Sequence, residues 1–265
     1  MSGLGTGSAL DRFSRGMRYP LAGFRFLSGH PELWGWVAIP AVLNLVMFVL
    51  GVAASWMAAP ALVGRLWSRP EEGLVFFLWF LTVWAVRLAM AAVVGMGVYM
   101  AAGLLAAPFN EVISERVEQA VLGDAGEPWG WRVFLRDTFF SLVHSLATMA
   151  IYALIMAPLL LVNLVPVIGS AVYLVLSWGL TAFFLSREML DGVTSRRRMG
   201  FVDKLRLVRR HQALMLGFGV ATNLMLWVPV VNLLCMPVAV VGATLMYCDL
   251  ERQGLAPSRK ALPER

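Results

Sequence analysis

Two places in the chain hold residues able to act on an anion. The first is Gly23-Phe24-Arg25, inside YPLAGFRFLSGHPELWGWVAIPAVLN at 19–44. Gly23 and Phe24 stand at what reads as the start of a helix beside the first apolar run. A glycine there lets backbone N–H groups turn outward as an anion nest, and a helix N-terminus adds the positive end of its dipole. Arg25 supplies a planar fork suited to two oxygens of a tetrahedral oxyanion. The same residues equally suit an interfacial helix whose arginine meets lipid headgroups. The second place is Arg87, the one charge inside the apolar run from Gly73 to Ala107. A lone arginine at that depth costs roughly 2.5–3.5 kcal/mol on insertion scales. It therefore belongs to an anion pathway or subunit contact, or else it is a structural ion pair or a snorkelling side chain.

No catalytic constellation accompanies these residues. His30, His144 and His211 are isolated, without HxxxH or HExxH spacing, so no metal site is expected. A GxxxxGK[ST] phosphate loop is absent, which excludes ATP hydrolysis by that route, and no serine stands in a GxSxG setting. Neither enzyme activity nor a cofactor is expected. Cys235 and Cys248, thirteen apart, form no CxxC pair and read as small buried hydrophobes.

The elements that must carry these residues are apolar. Of 265 residues 59% are hydrophobic and only 14% charged, against about 25% in a soluble domain. Mean hydropathy is +0.73, and an all-α integral membrane protein follows. The net charge of +6 does not point to nucleic acid, because membrane proteins gather Lys and Arg in cytoplasmic segments. The first 32 residues are polar, and the run after them is too long for a signal-peptide core.

Residues 33–64 carry no charge and predict one long transmembrane helix; 73–107 predict a second, with the loop Arg65–Glu72 between them. Charge-free runs at 145–186 and 212–248 have apolar centres, LLLVNLVPVIGSAV and LMLWVPVVNLLCMPV. A turn reaching water would be polar, and 37 residues are tight for two spans of about 20. These runs read as two helical hairpins that penetrate the bilayer only partway, sharing a VPV core at 165–167 and 228–230. Ordinary spanning hairpins are the other reading. A cytoplasmic amphipathic segment, 108–136, precedes the first hairpin, and a basic cytoplasmic one, 187–211, lies between the two. The stretch SRRRMGFVDKLRLVRRH at 195–211 reads as touching anionic lipid, not as a ligand site. The whole forms a single helical membrane domain. If both hairpins return to their side of entry, 19 of the 22 Lys and Arg share one face, which places both termini in the cytoplasm.

At the second apolar run's end, GLLAAPFNEVISERVE (103–118) passes from oil to charge. Pro108 ends or kinks the span, and Asn110 can cap a new helix. There Ile113, Val117 and Val121 form an apolar stripe, with Glu111, Glu115 and Glu118 facing away.

Taken together, these stretches resemble the CysZ family of bacterial inner-membrane sulfate transporters. The resemblance rests on GFRFLSGHPELW with IPAVLN at 39–44, APFNEVISERVE at 107–118, NLVPVIG at 163–169 and LWVPVVNLLCMPVAVVGATLMYCDLE at 226–251. It runs from about residue 18 to 251. It implies sulfate uptake feeding cysteine biosynthesis, sulfite as a related ligand, two long helices with partly penetrating hairpins, and homo-oligomers in the lipid bilayer. The family's sulfate-binding Gly-Leu-Arg motif falls on Gly23, Phe24 and Arg25, with Phe in place of Leu. The resemblance also makes Asn110, Glu111 and Arg116 candidate lining residues of an ion pathway. An accessory subunit or a membrane-shaping protein, nearer the family's eukaryotic relatives, is the alternative.

Overall fold

In the computed structural model, which describes residues 4, 5, 7–123, 148, 150–162 and 168–258, Ser8 opens helix α1 (Ala9–Gly29) with a reciprocal cap. The Asp11 N–H donates to Ser8 Oγ at 3.1 Å and the Ser8 N–H donates to Asp11 Oδ2 at 3.0 Å, which satisfies donors that a helix start leaves open. After a 3-10 turn at Pro31–Leu33 the chain continues as α2 (Trp34–Leu66) and α3 (Gly73–Leu122). The remaining helices are α4 (Ala150–Val162), α5 (Ile168–Met189), α6 (Asp191–Arg196), α7 (Phe201–Arg210), α8 (Gln212–Leu226) and α9 (Pro229–Arg252). Among the described residues there is no strand.

The expected all-α class is observed. Four helical segments are long and apolar enough to cross a membrane: Pro31–Leu66, Gly73–Val98, Ile168–Met189 and Leu234–Arg252. Over 212–248 the chain forms α8 and α9, turning at Trp227-Val228, with Pro229 in the first turn of α9, where its missing N–H is harmless. In the 145–186 run, α4 and α5 are joined by a bond between Tyr152 Oη and Thr181 Oγ1 at 3.0 Å. The tip of that hairpin, 163–167, lies outside the described residues, as does most of 124–149.

One expectation is corrected in part. Pro108 does not end the helix: α3 is continuous to Leu122, where Gly123 takes φ 68° and closes it. A proline forfeits one ladder bond, and here the helix runs on through it. Asn110 is consequently interior to α3 and caps nothing.

Contacts divide the chain into two units, Met1–Val37 with Asn110–Arg265, and Ala38–Phe109. In the first, α1 lies against α8 and α9, and α5 against α8. The buried face of α1 is Gly16, Pro20, Gly23 and Leu27, spaced four, three and four apart. Small residues on that stripe let backbones approach to contact. A Cβ on Gly242 of α9 would stand 2.6 Å from the Tyr19 carbonyl oxygen, and one on Gly217 of α8 would collide with the Phe13 carbonyl. One apolar cluster centres on Met215, Phe218, Met246, Tyr247 and Leu250; another joins Leu27, Ile113, Val117, Val238 and Val241.

The second unit pairs α2 with α3 in opposite directions. Gly51 meets Val94, Trp56 meets Trp84, and Trp79 Nε1 donates to the Trp67 carbonyl at 3.1 Å. Both apolar segments are only 11% buried, and Leu45, Leu50, Met57, Leu88 and Val93 point outward. Such an apolar exterior suits hydrocarbon, not water.

Candidate functional site

Among the described residues, one group of charged side chains joins three distant parts of the sequence. Glu111, Ser114 and Glu118 share one face of α3, since positions three and seven apart return to the same side of a helix. Arg196 ends α6 and Arg197 follows it. Arg196 uses its guanidinium on Glu111, Glu118 and, at 2.6 Å, Ser114 Oγ. Arg197 takes the other oxygen of Glu118, then Glu251 of α9 with Nε at 3.0 Å and the Val193 carbonyl at 3.1 Å. The Tyr247 ring lies 4.5 Å from the Arg197 guanidinium carbon. Ser114 Oγ reaches on to Thr244 Oγ1 at 2.8 Å.

Burial gives this group its weight. The Arg197 side chain is fully covered, Glu118 is 5% exposed and Glu111 39%. Burial alone would pull both guanidinium groups down. For Arg196 the carboxylates of Glu111 and Glu118 outweigh it; for Arg197, Glu118 and Glu251 do so, and both stay above their usual value.

One expectation is corrected here. Glu118 does not face away to solvent; it is buried against Arg196 and Arg197. The basic stretch 195–211 divides its charges. Arg196 and Arg197 are paired within the protein, and Lys204 Nζ donates to Asp191 Oδ1 at 2.7 Å. Arg206, Arg209 and Arg210 remain exposed.

Gly23-Phe24-Arg25 lies elsewhere on the fold, within α1 and well past its start, so the expected helix N-terminus is not there. An interior helical amide already donates along the helix, which leaves no nest. Gly23 faces inward: a Cβ there would sit 2.7 Å from the Gly242 amide nitrogen and 3.0 Å from its Cα. Phe24 is 44% exposed and Arg25 is exposed beside it. Among the described residues no carboxylate pairs with Arg25.

Arg87 belongs to the second unit. Its guanidinium carbon lies 4.5 Å from the Trp56 ring and 5.3 Å from Trp84, and Nε has no hydrogen-bond partner among the described residues. Stacking on indole faces is a recognised way to hold a cation in apolar surroundings. Of the pathway candidates, only Glu111 enters the ion network; Asn110 is half-buried and Arg116 exposed on α3. Ser114, Glu118, Arg196, Arg197 and Glu251 were not singled out from sequence. The signal available was a pair of acids seven apart on a helix, with an arginine triplet elsewhere to answer them.

The apolar spans, with charged side chains collected at and beyond their ends, define a polytopic α-helical membrane protein. A family model described as "Sulfate transporter CysZ/Etoposide-induced protein 2.4" matches residues 19–237. The chain belongs to this CysZ/etoposide-induced protein 2.4 family. It is 28% identical over 259 residues to the sulfate transporter CysZ of Pectobacterium atrosepticum, covering 96% of this chain and 91% of that one. It is 29% identical to those of Pseudomonas aeruginosa, covering 82% and 88%, and Vibrio parahaemolyticus, covering 88% and 93%.

Proposed function

We propose that this protein carries sulfate across the bacterial inner membrane by a channel-like or secondary route, supplying sulfate assimilation and cysteine biosynthesis. The observation that carries the reading is the similarity to proteins named sulfate transporters along 96% of the chain. Sulfate is a dianion, so entry against an inside-negative potential costs about 4.6 kcal/mol per 100 mV, twice the single-charge cost. A gradient kept by downstream consumption, or coupling to another ion, offsets that cost without nucleotide hydrolysis.

Gly23-Phe24-Arg25 is the proposed sulfate-binding segment. An exposed guanidinium with no carboxylate partner among the described residues supports it, because the fork is open to an oxyanion. Arg25 then acts through its side chain, not through a backbone nest. Arg87, Asn110, Glu111 and Arg116 remain proposed contributors to the pathway. At about 1.5 Å per residue, the 15 residues of α8 span about 22 Å, short of a hydrocarbon core of about 30 Å. That length supports a hairpin entering only partway; the gathering of Lys and Arg on one face supports cytoplasmic termini. The outward apolar face of α2 and α3 suits lipid or a second copy of the chain.

The test is uptake of radiolabelled sulfate into liposomes holding the purified protein, wild type against Arg25→Ala. Uptake that falls in the variant, with its fold intact, is the expected result. No uptake by folded wild type above empty liposomes would overturn the reading in favour of an accessory or membrane-shaping role.

A further inference from the structure

Arg187 stands in the last turn of α5 and is 2% exposed. Its Nη1 donates to Thr148 Oγ1, and the Phe201 ring covers the guanidinium plane with its centroid 4.7 Å from Cζ. The remaining edge is bare: neither Nε nor Nη2 has a hydrogen-bond partner among the described residues. These two N–H groups point the same way along one side of the guanidinium. That edge is one by which arginine grips two oxygens of a carboxylate, sulfate or phosphate. Leaving charged donors buried and unpaired is costly, and native proteins rarely do so without a reason.

The acid one helical turn on, Asp191, does not fill the role. Its Oδ1 accepts from Lys204 Nζ at 2.7 Å, and its Oδ2 receives Ser195 Oγ at 3.4 Å. Glu188, next to Arg187, is exposed; it and Asp191 match the charges of Arg187 and Lys204, yet neither carboxylate bonds to the Nε–Nη2 edge. Thr148 and Phe201 hold the arginine in one pose, so an incoming ligand need not order it.

We infer that the Nε–Nη2 edge of Arg187 is an oxyanion-binding site for a tetrahedral dianion such as sulfate, separate from Gly23-Phe24-Arg25. The identity of the anion rests on the transport reading; the open fork does not.

Selenate, a close shape analogue of sulfate, provides the probe. Full-length wild-type protein with ordinary methionine is crystallised from lipid, soaked in sodium selenate and recorded at the selenium edge. An anomalous peak with oxygens within about 3.2 Å of Nε and Nη2 is expected; a peak at Arg25 with none at Arg187 overturns the inference. In solution, Arg187→Lys keeps the charge and removes the fork. Its affinity for radiolabelled sulfate is expected to fall about tenfold or more, the scale of one charged hydrogen bond, at unchanged thermal midpoint. Unchanged affinity in that folded variant overturns the inference. If Arg187→Lys does not fold, the selenate peak in wild type decides alone. Wild type that moves no sulfate yet holds selenate at Arg187 keeps the site and sinks the transport reading. Wild type that moves sulfate without selenate at Arg187 does the reverse.

Discussion

Gly23 of α1 and Gly242 of α9 face each other so closely that a Cβ on Gly23 would lie 2.7 Å from the Gly242 amide nitrogen. The obstacle is main chain, which cannot rotate aside as a side chain can. Gly23→Ala gains helix propensity, but forces the two helices apart. The net expectation is a loss of about 1–3 kcal/mol, the usual range for overpacking, read as a lower thermal midpoint in detergent. A midpoint equal to wild type would show that α1 does not pack in this way.

Glu118 gives one oxygen to each of two successive arginines. Glu118→Gln leaves Arg197, fully covered, with only Glu251 as a charged partner. Removing one member of a buried ion group costs about 3–5 kcal/mol, so a large drop in thermal midpoint is expected. Glu111→Gln, at the exposed end of the same group, should lower it much less. Equal effects from the two would argue against the burial difference.

Arg87 between Trp56 and Trp84 separates packing from passage. Replacing it with Met removes a charge from apolar surroundings, worth roughly 2.5–3.5 kcal/mol in insertion, against a stacking gain of about 2 kcal/mol. Thermal stability should hold or rise slightly, while sulfate uptake into liposomes falls. Uptake equal to wild type would remove Arg87 from the proposed pathway.

His211 supplies a pH signature. Burial lowers its pKa below the usual value, the Leu255 carbonyl opposes that, and Arg210 and Arg12 add to the lowering. A base with a depressed folded pKa stabilises the fold fully above its unfolded pKa of about 6.5. That contribution is lost as pH falls through the lower folded value. Thermal midpoints of wild type should therefore decline on the acid side of about 6.5, and His211→Gln should flatten part of that decline. An identical acid limb in the variant would exclude His211 as a source.

Composition and charge-free runs made the helical class and its apolar segments legible, because hydrocarbon imposes length and apolarity on any helix that crosses it. The second hairpin was readable from the 37-residue charge-free run at 212–248 with VPV at its centre. Pro108 misled, because one proline inside a long helix costs a bond without ending it. Gly23 was read as freedom of the backbone, whereas its neighbours in space, Val238 and Gly242, come from more than two hundred residues away. The arginine triplet posed a similar problem. A buried arginine and an exposed one are the same letter, and nothing within the triplet tells covered Arg197 from exposed Arg198. Arg87 stood out because it was alone in oil, but nothing local named Trp56 as its neighbour.

The shared carboxylate of Glu118 also fixes an order of events during synthesis. Glu118 leaves the ribosome 78 residues before Arg196, and Arg197 must then wait a further 54 for Glu251. Until α9 has been made, Arg197 has Glu118 as its one carboxylate and shares it with Arg196. The final helix therefore brings the last member of the network, Glu251, and a chain halted before it leaves Arg197 held by a carboxylate it does not have to itself.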